Sequence, residues 1–219
     1  MWGTVGLGYR KSETDGAPAS WKWGYESDPY AGQIALVSEV TTLIQMTAKY
    51  LGYPLSTLDP VHLKRIEELL IAQKPAIKVF AEDNGQDLLA SDEVAICQEW
   101  NGDILQAMRE DADLAYVVPK EGSLIWQDCL CIPKDTPHPR NAHRFLDCLN
   151  DPAVNAAIAA FIQYATPNGA ARKLMSADYN DNPAIFPAQS VLDKSETAKY
   201  PGGDGLRLYN ETFTRIMAA

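Results

Sequence analysis

The sequence lacks the features that would assign it at once to several functional classes. No apolar run approaches the roughly 20 residues that a membrane-spanning helix requires. Basic residues are in the minority, with 19 against 29 acidic ones, and the resulting net charge of −10 argues against a nucleic-acid partner and favours a cationic one. Residues 1–8 contain no basic stretch followed by an apolar one, so they do not form a signal peptide.

Catalytic motifs are also scarce. The three histidines, His62, His138 and His143, form no metal-binding pair of the H-x-x-x-H or H-E-x-x-H type. The early glycines do not follow the G-x-G-x-x-G order of a phosphate-binding loop. The sequence therefore predicts no enzyme, no cofactor and no metal. An enzyme that uses the carboxylates of Glu99, Asp103 and Asp128 for acid–base chemistry stays open as an alternative.

Cysteine is rare and poorly spaced for chemistry. Of the four cysteines, Cys129 and Cys131 are two residues apart, which is not the C-x-x-C spacing of redox or zinc sites. A disulfide between such close neighbours would be strained. We therefore expect the cysteines to be small apolar packing residues.

The first part of the chain has the pattern of an α/β protein. Short apolar runs at 34–37, 77–80 and 93–98 predict buried strands, and amphipathic segments between them predict helices. Ser38 is a plausible cap for the first long helix. Such alternation favours a parallel or mixed sheet covered by helices.

Beyond about residue 125 the pattern becomes helical. Helices are predicted at 142–149, 152–164, 169–175 and 206–217, the last with Leu208, Phe213, Ile216 and Met217 as its buried side. Few strands are predicted there for these helices to pack on. Amphipathic helices need a sheet or one another, so this half hints at a sheet outside the sequence.

Two tryptophan–carboxylate pairs stand out. Trp100 and Asp103 follow a predicted strand and begin a helix, at the carboxyl end of a strand where open α/β sheets bind ligands. Trp126 and Asp128 alternate in an extended segment, so their side chains share one face. Indole faces attract cations and carboxylates accept N–H bonds, which together suit an organic ammonium ion. The alternative is that the tryptophans are core residues and the carboxylates are caps or surface charges.

Two further residues are candidates for the same site. Tyr164 ends a helix and could line a pocket with its ring and hydroxyl, although a packed tyrosine is the simpler interpretation. Glu39 lies at the start of a helix that follows a strand, where the helix dipole alone would favour an acid.

At these positions the chain resembles the periplasmic substrate-binding proteins of polyamine ABC transporters, of the spermidine and putrescine kind. The similarity runs in order along essentially the whole chain. It is carried by Met-Trp-Gly-Thr-Val-Gly-Leu-Gly-Tyr at 1–9, Ile-Gln-Met at 44–46, Tyr-Leu-Gly-Tyr at 50–53, Trp-Asn-Gly-Asp at 100–103, Val-Pro-Lys-Glu-Gly at 118–122, Trp-Gln-Asp at 126–128, Ile-Pro at 132–133 and Tyr-Ala-Thr-Pro-Asn-Gly-Ala-Ala-Arg-Lys-Leu at 164–174.

The resemblance implies an α/β fold like that of type II periplasmic binding proteins, with two lobes that close on a polyamine. Residues 9–121 would form a nearly complete second lobe, whereas 1–8 and 122–219 would supply crossover strands and the helical return of an incomplete first lobe. By family pattern, Trp100 stacks on the methylene chain, Asp103 and Asp128 pair with ammonium groups, and Trp126 and Tyr164 line the cleft. Permease subunits of an ABC importer would be the partners.

Some features depart from the family pattern. Thr42 stands where the family usually has an acid, and Glu39 lies near the position of another, so Glu39 is expected to contact one ammonium group. The chain also begins where the family has completed much of its first lobe. We therefore expect an N-terminal truncation, a periplasmic protein whose signal peptide was lost with that segment, weak polyamine binding, and self-association through exposed helix faces.

Two other interpretations remain open beside the enzyme. The cleft could bind another small cationic solute, or the chain could depend on a partner and have no independent binding. Among polyamines the preference is also open, because Trp100-Asn101-Gly102 is similar to spermidine-binding relatives whereas Asp103 is similar to putrescine-binding ones.

Overall fold

The computed structural model describes residues 1–26 and 28–219. Its strands are β1 (Trp2–Arg10), β2 (Ile34–Val37), β3 (Ile77–Ala81), β4 (Ile96–Trp100), β5 (Leu114–Val117), β6 (Leu124–Gln127) and β7 (Glu196–Thr197). Its α-helices are α1 (Lys22–Tyr25), α2 (Val40–Tyr50), α3 (Pro60–Gln73), α4 (Gly85–Ala90), α5 (Asn101–Ala107), α6 (Pro139–Asn150), α7 (Pro152–Ile162), α8 (Gly169–Arg172), α9 (Ala177–Asn180), α10 (Gln189–Leu192) and α11 (Gly202–Ala218).

The strands form one mixed sheet in the order β3-β2-β4-β1-β6-β7, and β5 also pairs with β1. Strands β2, β3 and β4 are parallel to one another, whereas β1 runs antiparallel to β4, β5 and β6. Strand β1 changes partners along its length: Trp2–Thr4 pair with β6, and residues 5–10 pair with β4 and β5. The predicted α/β class with a parallel or mixed sheet is confirmed.

This topology brings several chain segments to one edge of the sheet. The carboxyl ends of β2, β3 and β4 meet there because these strands are parallel. The amino end of β1 lies at the same edge, since Val5 pairs with Trp100 and Gly3 pairs with Trp126 of β6. Residues that follow β3 and β4 are therefore close to residues of β6.

Helices cover both faces of the sheet. Successive residues of a strand point to opposite faces: Leu36 of β2 is buried in a cluster with α2, α3 and α11, while Ala35 is buried in a second cluster with α4 and α5. Helix α11 was expected to belong with residues 122–219, but it packs against α2 and α3. There the Tyr209 hydroxyl donates to the Thr57 carbonyl at 3.0 Å, and Arg215 donates to Glu67 at 2.6 Å.

The helix starts follow from local hydrogen bonding. Glu39 precedes α2 in an extended conformation, and its carboxylate accepts the N–H groups of Thr41 and Thr42 at 3.1 and 2.6 Å. The prediction that Ser38 caps this helix is wrong by one residue. Asp59 caps α3 in the same way, and Pro60 occupies its first turn, where a missing N–H costs nothing.

The helices after β6 form a smaller cluster. Ala159 of α7, Tyr179 of α9 and Leu105 of α5 are buried together. Helix α6, by contrast, has no buried residue, and Phe145 on it is 61% exposed. Across the described residues no single helix is long and apolar enough to cross a membrane. Helices α6 and α7 reach that length and composition only as a pair, with a 70° bend at their junction.

Two expectations about burial and one about a helix end are wrong. Cys97 is buried, but Cys129, Cys131 and Cys148 are exposed, so they are not packing residues in this structure. Met217 is exposed, whereas Ile216 is fully buried as predicted and Leu208 and Phe213 are half-buried against the core. Tyr209 and Thr212 complete the buried side of α11. The helix predicted at 169–175 ends at Arg172, where the backbone turns toward α9.

Candidate functional site

The junction between β4 and α5 positions the first tryptophan–carboxylate pair. Trp100 ends β4 and Asn101 begins α5 without an intervening loop. Asn101 is fully buried; its side-chain oxygen accepts the Thr4 N–H at 3.1 Å, and its side-chain nitrogen donates to the Ala184 carbonyl at 2.9 Å. Asn101 therefore fixes the junction to β1, which leaves Trp100 and Asp103 half-buried at the edge of the sheet.

Three aromatic rings form the wall of the site. The Trp100 and Trp126 ring centroids are 5.9 Å apart, and those of Trp126 and Tyr164 are 4.9 Å apart, both edge to face. Small residues make room for these rings. A Cβ atom on Gly102 would lie 2.5 Å from the Tyr164 ring, and one on Gly3 would lie 2.6 Å from the Trp126 ring.

Asp103 is held by Tyr164. The Tyr164 hydroxyl donates to the Asp103 carboxylate at 2.6 Å. Burial raises the pKa of Asp103, the Tyr164 hydrogen bond lowers it, and the net shift is upward. The same burial, together with the hydrogen bond and charge of Asp103, raises the pKa of Tyr164. The tyrosine is therefore a neutral donor, and it keeps the carboxylate in one orientation.

Asp128 directly follows β6 and lies two residues after Trp126. Its side chain is 67% exposed and lies 3.7 Å from the amino group of Met1, while its backbone N–H donates to the Met1 carbonyl at 2.9 Å.

The aromatic and acidic groups line a cavity of about 370 Å³ that is open to solvent. It is lined by Asp83, Trp100, Asp103, Trp126, Gln127, Asp128 and Tyr164. Five of the six predicted site residues are thus brought together around one space. Glu39 is not among the lining residues, because its carboxylate is engaged in capping α2.

Sequence reasoning missed Asp83. It follows β3 in a left-handed conformation, with φ of 53°, which Asp tolerates better than most residues. Oxygens of Asp83, Glu99 and Asp103 lie within 4.8 Å of one another. The sequence did contain a signal for Asp83, because this residue comes just after β3. The carboxyl ends of parallel strands such as β3 and β4 lie at the same edge of a sheet, so Asp83 could be expected near Asp103.

Among the described residues, these three carboxylates form a group that could offer oxygen ligands to a metal ion. Both oxygens of Glu99 already accept backbone N–H groups, from Trp100 at 2.9 Å and from Gly85 at 3.0 Å. The absence of a cofactor remains a prediction.

Comparison with known proteins identifies the family. The model of the family described as bacterial extracellular solute-binding protein matches residues 2–188, and the chain belongs to this family. The chain is 29% identical over 219 residues to the spermidine/putrescine-binding periplasmic protein of Salmonella typhimurium, a match that covers all of this chain and 62% of that protein. It is 29% identical over 233 residues to a putrescine-binding periplasmic protein of Pseudomonas aeruginosa, covering 99% and 63%.

Solved structures give the same result. A putative spermidine/putrescine ABC transporter protein from Listeria monocytogenes matches with a TM-score of 0.91 and 28% identity. A spermidine/putrescine substrate-binding protein from Streptococcus pneumoniae matches with a TM-score of 0.87 and 26% identity. Both matches cover 99% of this chain and 67% of the other. The expected periplasmic-binding-protein fold is confirmed, and membership supports a binding protein rather than an enzyme.

The chain spans about 62% of the length of the curated relatives it matches. These relatives are periplasmic proteins by name.

Proposed function

We propose that this chain binds a polyamine of the putrescine or spermidine type in the aromatic cavity and serves an ABC importer in the periplasm. The observation that carries the proposal is the cavity itself. The rings of Trp100, Trp126 and Tyr164 and the carboxylates of Asp103 and Asp128 line the same space. A polyamine has the complementary groups, with an ammonium at each end of a methylene chain.

The energetics suit this ligand. Methylene groups gain about 0.8 kcal/mol each when they leave water for an apolar wall. Each charge-assisted hydrogen bond between an ammonium and a carboxylate adds about 1.5–3 kcal/mol. The net charge of −10 also attracts a cation from solution. A volume of about 370 Å³ is within the usual range for small-molecule sites.

The roles follow from the positions. Trp100 and Trp126 contact the methylene chain, Asp103 and Asp128 bind the ammonium groups, and Tyr164 orients Asp103. Glu39 would have to release its bonds to two backbone N–H groups in order to reach an amine, so we assign it to capping α2.

We also propose the two-lobed organisation, with residues 9–121 as one lobe and 1–8 and 122–219 as parts of the other. The change of partners along β1 supports it, because only the first three residues of β1 pair with β6. Closure of such lobes on a ligand would produce the state that a permease recognises. Helix α11 packs on α2 and α3, so within this organisation it contacts the lobe formed by residues 9–121.

Calorimetric titration tests the proposed function. Putrescine and spermidine should each bind saturably, whereas butane-1,4-diol, which has the length of putrescine without its charges, should not. Trp100→Ala and Asp128→Asn should each weaken amine binding at least tenfold, and Asp147→Asn on α6 is the charge-matched control. Equal binding of the diol, or full affinity in both site variants, would contradict the proposal. Binding of another cation but neither polyamine would assign the cavity to a different cationic solute.

A second proposal concerns association of the chain. Leu130, Phe145 and Phe161 are each more than 60% exposed, and α6 buries none of its residues. Such apolar surfaces favour association with another polypeptide or a second copy. Light scattering should show a mass above 24.1 kDa, and Phe145→Ser should lower it. A monomer over a wide concentration range would contradict self-association.

A further inference from the structure

A buried glutamate lies behind the cavity wall. Glu99 is the penultimate residue of β4 and is fully buried. One of its oxygens accepts the Trp100 N–H at 2.9 Å, and the other accepts the Gly85 N–H at 3.0 Å. A Cβ atom on residue 85 would lie 2.6 Å from the second oxygen, so the approach requires glycine. Glu99 thus ties the backbone of Trp100 to the segment that carries Asp83.

The surroundings of Glu99 are acidic. Oxygens of Asp83, Glu99 and Asp103 lie within 4.8 Å of one another, and the first and third of these residues line the cavity. Within residues 1–26 and 28–219, no lysine, arginine, histidine or terminal amine forms an ion pair with any of the three. The other titratable groups that face Glu99 are Cys97, Tyr116 and Tyr164.

These surroundings favour the protonated form of the acid. Burial raises the pKa of Glu99 most, the charges of Asp103 and Asp83 raise it further, and the two backbone N–H groups lower it, with a result of about 7. Without a bound cation, Glu99 therefore keeps its proton in part of the molecules at neutral pH.

We propose that Glu99 is a positioning residue that couples amine binding to the release of a proton. An ammonium group seated between Asp83 and Asp103 offsets the repulsion that these carboxylates exert on Glu99. Glu99 then loses its proton to the solvent, and the charged form holds Trp100 and Gly85 by stronger hydrogen bonds. The O–H bond of Glu99 breaks and its proton passes to water, so one cation enters and up to one proton leaves. The inference rests on the proposed function and deepens it.

The direction of the pH dependence follows. Aliphatic ammonium groups such as that of lysine, with a pKa near 10.4, stay charged between pH 6 and 8. Amine affinity should therefore rise with pH in this window. Below the pKa that Glu99 has in the ligand-free protein, the affinity should rise by up to tenfold for each pH unit. Above that pKa it should become constant. Between pH 6 and pH 8 we expect a roughly tenfold decrease in the Kd for putrescine.

Calorimetry of the full chain with putrescine measures both effects. At pH 7 the titration is repeated in phosphate and in Tris, whose ionisation enthalpies differ, and the difference in heat gives the protons released. We expect about half a proton per amine. Glu99→Gln keeps the size of the side chain but removes the titration, so its Kd should vary less than twofold between pH 6 and 8. Glu110→Gln, an exposed change three residues after the end of α5, should keep the wild-type profile.

The wild-type titrations decide the matter even if Glu99→Gln does not fold. A wild-type Kd that is constant from pH 6 to 8 with the same heat in both buffers would overturn this inference and leave the proposed function intact. A pH slope that persists in Glu99→Gln would also overturn it. An absence of putrescine heat at every pH would overturn the proposed function and this inference together.

Discussion

Replacing Asp103 by asparagine separates a ligand-binding role from a structural one. The change removes one negative charge from the cavity but keeps an oxygen that can accept the Tyr164 hydroxyl hydrogen bond, which is 2.6 Å long in the wild type. A charge-assisted bond to an ammonium group contributes about 1.5–3 kcal/mol. Its loss should weaken putrescine binding by about 10- to 150-fold.

The same change should not destabilise the empty protein. Oxygens of Glu99 and Asp103 lie within 4.8 Å, and like charges at that distance repel by about 3.5 kcal/mol at an effective dielectric constant of about 20. Because the pKa of Glu99 is raised to about 7, Glu99 is only partly ionised at pH 7, and removing the Asp103 charge relieves part of that repulsion, about 1.5 kcal/mol. The weaker bond from Tyr164 to a neutral acceptor costs about 1 kcal/mol. The free energy of unfolding should therefore stay within about 1 kcal/mol of the wild-type value.

The pH dependence has a definite sign. Since the pKa of Asp103 is raised in the folded state, its protonated form favours folding. That contribution is fully present below the unfolded-state pKa and disappears as the pH rises through the folded-state pKa. Asp103→Asn should remove this part of the pH profile. Urea unfolding at several pH values and calorimetry with putrescine provide the two readouts. A variant that loses more than 2 kcal/mol of stability but binds putrescine normally would refute the reasoning.

Two other changes test the packing around the site and the anchoring of α11. Gly102→Ala places a Cβ atom 2.5 Å from the Tyr164 ring and should lower the free energy of unfolding by about 1–3 kcal/mol and weaken amine binding, whereas Gly203→Ala, which meets no atom within 4 Å, should not. Equal effects at both glycines, measured by thermal unfolding and calorimetry, would contradict this packing. Burial raises the pKa of Glu67, but hydrogen bonds from Lys64 and Arg215 lower it, and the net shift is downward. The stability that the Glu67 carboxylate provides is therefore present at neutral pH and is lost as the pH falls through its folded-state pKa. Glu67→Gln should therefore cost about 1–3 kcal/mol at pH 7 and much less at pH 3, and an equal loss at both pH values in urea unfolding would show that the charge is unimportant.

The sequence was sufficient for the periodic parts of the fold and for most of the site. Apolar runs located β2, β3 and β4, and their alternation with helices predicted the sheet class. Trp100, Asp103, Trp126 and Asp128 could be found because aromatic and acidic residues recur next to each other. They line one cavity because β6 pairs with the amino end of β1, which in turn pairs with β4.

The rest depended on contacts that local patterns do not show. Asp83 is far in sequence from Asp103, and only the parallel pairing of β3, β2 and β4 brings their carboxylates together. Glu39 resembled a site residue because an acid at a helix start fits both a cap and a ligand contact, and the geometry favours the cap. The packing of α11 on α2 and α3 likewise depends on tertiary contacts that residues 202–218 do not reveal.

A crystal structure at saturating putrescine tests the central claim most directly. The account predicts electron density for the methylene chain against the faces of Trp100 and Trp126. One ammonium nitrogen should lie within about 3.2 Å of an Asp103 oxygen and the other near Asp128. Putrescine bound elsewhere on the chain, with the aromatic cavity free of it, would contradict the account.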